Sequence, residues 1–326
     1  MPESTASTPA EPETVDEVDT STRGESPEPK RRRRGTRNPR TCALGDLYPF
    51  ESHYLELGGP RMHYLDEGDG PPIVMLHGNP TWSFYYRELI KSLRECHRVV
   101  VPDHIGCGLS DKPLDYPYTL TTHIANLERL IDSLGLGDVT LAVHDWGGPI
   151  GFGWAARHPD RARRFIVFNS SAFLGPLPRR IDVCRWPVFG ELFVQGLNGF
   201  VRAAFRMACV KRLPRAVRRG YVLPYDTIAH RVGILRFVRD IPADPGTASF
   251  DVIQEIDRTL PALADRPLII LWGARDFCFN DEFLHGWLLR FPQATAHCFP
   301  EAGHYVVEDA LDLIRPELTR FLAVTR

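Results

Sequence analysis

Val143-His144-Asp145-Trp146-Gly147-Gly148 decides how this chain is read. The apolar run Val139–Asp145 predicts a buried strand, the glycines a tight turn, and Pro149–His158 a helix. A strand-turn-helix with small residues after the turn is the context of a nucleophile elbow, where a strained backbone pushes one side chain into a cavity. Here that side chain is the carboxylate of Asp145. An ionised carboxylate needs no base to activate it and can attack a carbon directly.

Outward from this point the pattern alternates. Strands are predicted over Arg61–Asp66, Ile73–His77, Arg98–Asp103, Phe165–Asn169, Pro267–Gly273 and Ala294–Phe299, and helices over Trp82–Leu93 and Thr121–Leu134. This rhythm predicts an α/β fold, with a mostly parallel, doubly wound sheet covered on both faces. Between about 172 and 250 no strand pattern appears, and prolines and arginines interrupt helical, aromatic stretches. Such an insertion over the carboxyl ends of the strands reads as a helical cap within one domain, 45–326.

Residues 1–44 are rich in Pro, Glu, Ser and Thr, then turn basic at Lys30-Arg31-Arg32-Arg33-Arg34. They bury too little apolar surface to offset ordering entropy, so a disordered tail is expected. A net charge of −2 gives no overall case for nucleic acid. The basic tail, and a cap run of Arg202, Arg206, Lys211, Arg212, Arg215, Arg218 and Arg219 without an acid between Val201 and Gly220, would suit an anionic surface or a multi-enzyme assembly. A solvated basic face is the plainer alternative. The seven cysteines are scattered without metal spacing, and no run approaches the ~20 apolar residues of a membrane span. A cytoplasmic protein without metal or organic cofactor is expected.

Two further pieces lie beyond the elbow. Trp272-Gly273-Ala274-Arg275-Asp276 places an acid just past a strand, and Glu301-Ala302-Gly303-His304 a histidine just past the next. Asp145, Asp276 and His304 make a candidate triad of nucleophile, orienting acid and general base. Asp276 has a second reading, as the N-cap of a helix over Phe277–Leu289. Asn79, in His77-Gly78-Asn79-Pro80-Thr81, and Trp146 offer N–H donors suited to a leaving anion.

The Asn79 loop, the Asp145 elbow and Glu301-Ala302-Gly303-His304-Tyr305 together resemble the haloalkane dehalogenase family of α/β-hydrolases over residues 48–325. In that family the acid follows either of two strands; here Asn169 stands at the earlier site and Asp276 at the later, as in the third subfamily. The resemblance implies that Asp145 displaces halide from sp³ carbon and that His304 activates water to hydrolyse the alkyl ester. The stretch Gly220-Tyr221-Val222-Leu223-Pro224-Tyr225-Asp226, with Arg231 and Arg236–Pro242, also resembles the cap of third-subfamily β-lactone decarboxylases, which convert dialkyl β-lactones to cis-alkenes and CO₂. Both readings imply a small apolar substrate and use Asn79 and Trp146. Tyr221 and Tyr225 are candidate cap contacts, and as acids toward an epoxide oxygen they would make an epoxide hydrolase. A receptor or assembly subunit without turnover is the non-enzymatic alternative, which the intact triad opposes.

Overall fold

Strand β5 (Val139–Asp145) lies near the middle of an eight-stranded sheet. The computed structural model describes residues 35–324. The other strands are β1 (His53–Glu56), β2 (Arg61–Glu67), β3 (Pro72–Leu76), β4 (Arg98–Pro102), β6 (Ala162–Ser170), β7 (Leu268–Gly273) and β8 (Thr295–Phe299), in the spatial order β1-β2-β4-β3-β5-β6-β7-β8. The β1–β2 and β2–β4 pairs are antiparallel and the rest are parallel. The predicted strands thus form within one or two residues at most ends and three at the start of β6, and β1 is an addition.

Apolar side chains on both faces explain why β3 to β7 read as continuous hydrophobic runs. Ile73, Met75, Ala142, Ile166, Phe168, Ile269 and Leu271 pack into one core, while Val74, Leu76, Leu141, Val143, Phe165, Val167 and Ile270 pack into the other. Successive residues alternate between the two, as the period of a strand requires.

Helices α1 (Arg87–Leu93), α2 (Leu120–Ser133) and α3 (Gly147–Arg157) accompany the first half of the sheet. The helix expected from Trp82 begins instead as a 3₁₀ turn, Ser83–Tyr86, where Asp103 accepts the Ser83 N–H at 2.7 Å. Thr119 caps α2 by accepting the Thr122 N–H. Between β6 and β7 the chain is helical: α4 (Arg179–Asp182), α5 (Gly199–Met207), α6 (Arg215–Val222), α7 (Val232–Arg239) and α8 (Phe250–Thr259). After β7 come α9 (Asp281–Arg290) and, past β8, α10 (Val306–Val324).

Residues 1–34, including the Lys30–Arg34 cluster, lie outside the described residues. The expected tail boundary near residue 44 is corrected, because the chain is already tied to the body before that point. Thr36 bridges to Ser52, Cys42–Leu47 form 3₁₀ turns, and Arg40 pairs with Asp226 at 2.8 Å and donates to Leu223 O at 2.9 Å. Among the described residues no helix is long and apolar enough to cross a membrane.

Candidate active site

Asp145 ends β5 with φ +51°, a left-handed backbone that costs a non-glycine residue energy and marks the sharp turn into α3. The turn fits because Gly147 has no side chain: a Cβ there would stand 2.1 Å from Leu76 O. Gly78 meets the same condition from the opposite side, since its Cβ would fall 2.0 Å from Asp145 Oδ1. The carboxylate is therefore wedged against the backbone of the β3 loop. Oδ1 accepts the Asn79 N–H at 2.6 Å, and the Trp146 backbone N–H also favours the ionised carboxylate. Ser170 donates to Asp145 O at 2.6 Å and fixes the turn from β6.

Asp145 Oδ2 stands 3.7 Å from His304 Nε2. On the far side of the ring, His304 Nδ1 lies 2.8 Å from Asp276 Oδ2, and Asp276 Oδ1 accepts the Cys278 N–H at 2.6 Å. The structure thus brings Asp145, His304 and Asp276 into one chain of contacts. The N-cap reading of Asp276 is corrected: α9 begins only at Asp281, and Asn280 caps it by accepting the Glu282 N–H at 3.1 Å. Asn169 holds Gly273 with both ends of its amide, accepting the N–H at 2.7 Å and donating to the carbonyl at 3.1 Å, and so ties β6 to β7.

Burial pushes the Asp145 carboxyl up, against the His304 charge and the two backbone donors, and Asp276 adds to the rise. For His304 burial works downward, but the Asp276 charge and hydrogen bond, with the Asp145 charge, outweigh it and raise the imidazole above 6.5. Two carboxylates thus favour the imidazolium between them.

Asn79 and Trp146, the expected anion donors, line the same cavity as Asp145, and helix α7 touches both. Asn79 Nδ2 donates to Ile234 O at 3.1 Å, leaving its second hydrogen available. Phe237 packs edge-on to the Trp146 ring at 5.3 Å. Asn79, Asp145, Trp146 and His304 line a cavity of about 390 Å³. Its walls are otherwise mainly apolar, with Leu174, Phe193, Phe200, Met207, Ile241 and Phe283 among them.

Tyr221 and Tyr225 are corrected as cap contacts. Neither lines the cavity: Tyr221 donates to Glu308 at 2.5 Å, and Tyr225 to Thr81 O at 3.2 Å while accepting the Gly108 N–H at 3.2 Å. Both hydroxyls are spent on tertiary bonds. Conversely, His144 is a contact that sequence reasoning passed over. Its ring lies 4.6 Å from that of His304, stacks on Tyr85 at 4.4 Å, and places Nε2 2.9 Å from His304 O. The available signal was a polar residue on a fully buried strand, which must find a partner. Phe279 covers His304 at 5.7 Å, nearly parallel. Among the described residues no group of three or more His, Cys, Asp or Glu side chains is placed to hold a metal.

A nucleophile-elbow carboxylate, a histidine-acid pair and a helical roof on a doubly wound sheet define an α/β-hydrolase. Residues 71–311 match the family described as alpha/beta hydrolase fold. A cis-3-alkyl-4-alkyloxetan-2-one decarboxylase from Shewanella oneidensis is 45% identical over 86% of this chain and 91% of its own. A haloalkane dehalogenase from Mycolicibacterium paratuberculosis is 37% identical over 80% of this chain and 89% of its own. The solved structure of the haloalkane dehalogenase DatA from Agrobacterium tumefaciens C58 superposes with a TM-score of 0.78 at 28% identity, covering 86% of this chain and 99% of DatA. The chain belongs to the α/β-hydrolase family and, within it, is a haloalkane dehalogenase-like enzyme.

Proposed function

We propose that this enzyme is a β-lactone decarboxylase, converting a cis-3,4-dialkyl oxetan-2-one to a cis-alkene and CO₂, with Asp145 as nucleophile. The carrying observation is the cavity, large and mainly apolar, whose lining includes Asn79, Asp145, Trp146 and His304. Its 390 Å³ is the volume of on the order of ten waters, more than a short haloalkane fills. Two alkyl arms on a four-membered ring would use it. The 45% identity to a decarboxylase, against 37% to a dehalogenase, favours the same choice.

The chemistry follows from the carboxylate. Asp145 Oδ2 attacks lactone C4 from the face opposite the ring oxygen, the C4–O bond breaks, and its electron pair leaves as a carboxylate on C3. The remaining Asn79 hydrogen and the Trp146 indole N–H meet that anion where a halide would otherwise sit. Backside attack places the new C4–O bond anti to the C3–carboxylate bond without rotation. The C3–carboxylate pair then forms the C3=C4 bond, CO₂ departs, and the C4–O bond to Asp145 breaks to restore its carboxylate. Inversion followed by anti departure keeps the alkyl groups cis. No water is consumed, so His304 serves as a cation that stabilises the departing Asp145 carboxylate, oriented by Asp276.

In a dehalogenase cycle water instead attacks the Asp145 ester carbonyl, with His304 as base. Multiple turnovers in H₂¹⁸O separate the two. Decarboxylation leaves the Asp145 peptide unlabelled while alkene accumulates from lactone, whereas hydrolysis enters ¹⁸O into the Asp145 carboxylate. Label in Asp145 with a bromoalkane and no alkene from lactone would sink the decarboxylase reading. The seven free thiols fit a reducing compartment, and we place the enzyme in the cytoplasm.

A further inference from the structure

The helical insert carries an apolar lip of which only Phe189 lines the cavity. Between α4 and α5, Trp186 is 56% exposed, Val188 77%, Phe189 44% and Leu192 60%. Four large apolar side chains held out of the core within seven residues are unfavourable for a chain that meets only water. Val188 adds a second cost, because its φ of +65° is left-handed backbone that a β-branched residue rarely adopts. Such a turn projects its side chain outward, and strain of this kind is retained where a contact needs it.

The lip is continuous with the cavity. The Phe189 ring is exposed, stacks on Phe193 at 5.4 Å, and both rings line the cavity. Arg180 is likewise exposed and on the cavity wall, so the mouth opens beside the lip.

The surrounding charge has one sign. Residues 178–207 hold five arginines against two acids. Both acids are neutralised, Asp182 by Arg185 at 3.1 Å and Glu191 by Arg239. Arg179, Arg180, Arg202 and Arg206 are exposed and pair with no acid among the described residues. Helix α5 turns Phe200, Ala204 and Met207 to the cavity and Arg202 and Arg206 to solvent.

We propose that Trp186–Leu192 seats the cavity mouth on an anionic bilayer surface, with the apolar side chains entering the headgroup region and the unpaired arginines meeting lipid phosphates. An apolar wedge containing Trp, ringed by arginine and free of net acid, is the chemistry by which a protein lies on such a surface. Resting on the decarboxylase reading, the lip lets a dialkyl lactone pass from lipid into the cavity without crossing water, and lets the alkene return.

The test is flotation of the full-length protein with phosphatidylcholine vesicles, with and without phosphatidylglycerol, beside the Trp186→Ser/Leu192→Ser and Arg202→Gln/Arg206→Gln double variants. Neither pair lines the cavity, so turnover of lactone in detergent micelles should stay at the wild-type level. The expected result is wild-type flotation that depends on phosphatidylglycerol and falls about fivefold or more in each variant, with a matching rise in KM for vesicle-borne lactone only. Absence of wild-type flotation would overturn the proposal. So would undiminished flotation of both variants, which would assign binding to the Arg-rich tail. Undiminished flotation with a change of size in solution would make the lip a contact between copies, again against it. If flotation falls as expected but no lactone is turned over, the lip stands and the reaction assignment fails.

Discussion

At the scale of the residue, Asp145 is held so that one oxygen is occupied and the other is presented. Oδ1 is bound by the backbone N–H of Asn79, and Oδ2 faces His304 across 3.7 Å. Asp145→Asn keeps this shape and removes the proposed nucleophile, so kcat for lactone should fall by about 10⁴-fold with the far-UV spectrum unchanged, measured as alkene by gas chromatography. In the proposed triad Asp276 stands one contact further out, with Oδ2 2.8 Å from His304 Nδ1. If the imidazolium assists the Asp145 departure, turnover falls as pH rises through the His304 pKa, which lies above 6.5. Asp276→Asn removes a carboxylate that raises this pKa, so the fall in kcat should move to lower pH. A general-base role would give the opposite limb, with activity rising through the same pKa. The linked stability has a fixed sign. A folded-state pKa raised above the unfolded value contributes stability that is full below about 6.5 and lost as pH climbs through the folded pKa. The three residues of the candidate triad could be picked out in the sequence because each sits at a strand end that periodicity locates. His144 could not, because its partner is the backbone oxygen of His304, 160 positions away.

At the scale of the element, the helical insert is fastened to the hydrolase body by two acids of α10, the partly buried Glu308 and the buried Asp309. Glu308 accepts from Arg87 at 2.5 and 2.9 Å and from Tyr221 at 2.5 Å, joining α1, α6 and α10. Asp309 accepts the N–H groups of Gly303, Val210 and Lys211, each at 2.9 Å, and so links the loop before His304 to the insert. Tyr221→Phe removes a buried hydrogen bond to a charged acceptor and should lower unfolding free energy by about 1.5–3 kcal/mol in urea titration. Because the hydroxyl is off the cavity, kcat should stay within about twofold; a loss of 10²-fold or more would restore the tyrosine to acid-base work. The sequence located the insert by the failure of strand periodicity but did not assign its tyrosines. A tyrosine in a proline-containing helical stretch has one pattern whether its hydroxyl meets substrate or a carboxylate on a distant helix. Helix starts erred for a related reason: Asn280, with its acidic first turn Asp281-Glu282, competes with Asp276 as a cap, and the hydrogen bond that decides is tertiary.

At the scale of the whole molecule, the sheet was the most legible part. A parallel strand buried on both faces must be apolar throughout, and such runs are hard to mistake when turns bound them. Strand β1 escaped because it is an edge with alternating burial in a short, His- and Glu-containing stretch. Order in residues 35–44 escaped because it depends on the insert: Arg40 finds Asp226, 186 positions away. Composition can report that a segment is poor in apolar residues, but not that another part of the fold supplies its ion pair.

The Asn169 amide carries a consequence for where an acid can stand in this fold. Position 169 is a strand clasp that needs a donor and an acceptor at once, accepting from Gly273 N and donating to Gly273 O. A carboxylate there keeps the first bond but opposes lone pair to lone pair in the second, at a fully buried site. Placing an acid at position 169 instead of Asp276 would therefore break the second bond of the clasp, so the β6–β7 junction would have to be rebuilt to receive it. A hydrogen-bonding pattern between two strands thus limits which strand end can carry a carboxylate.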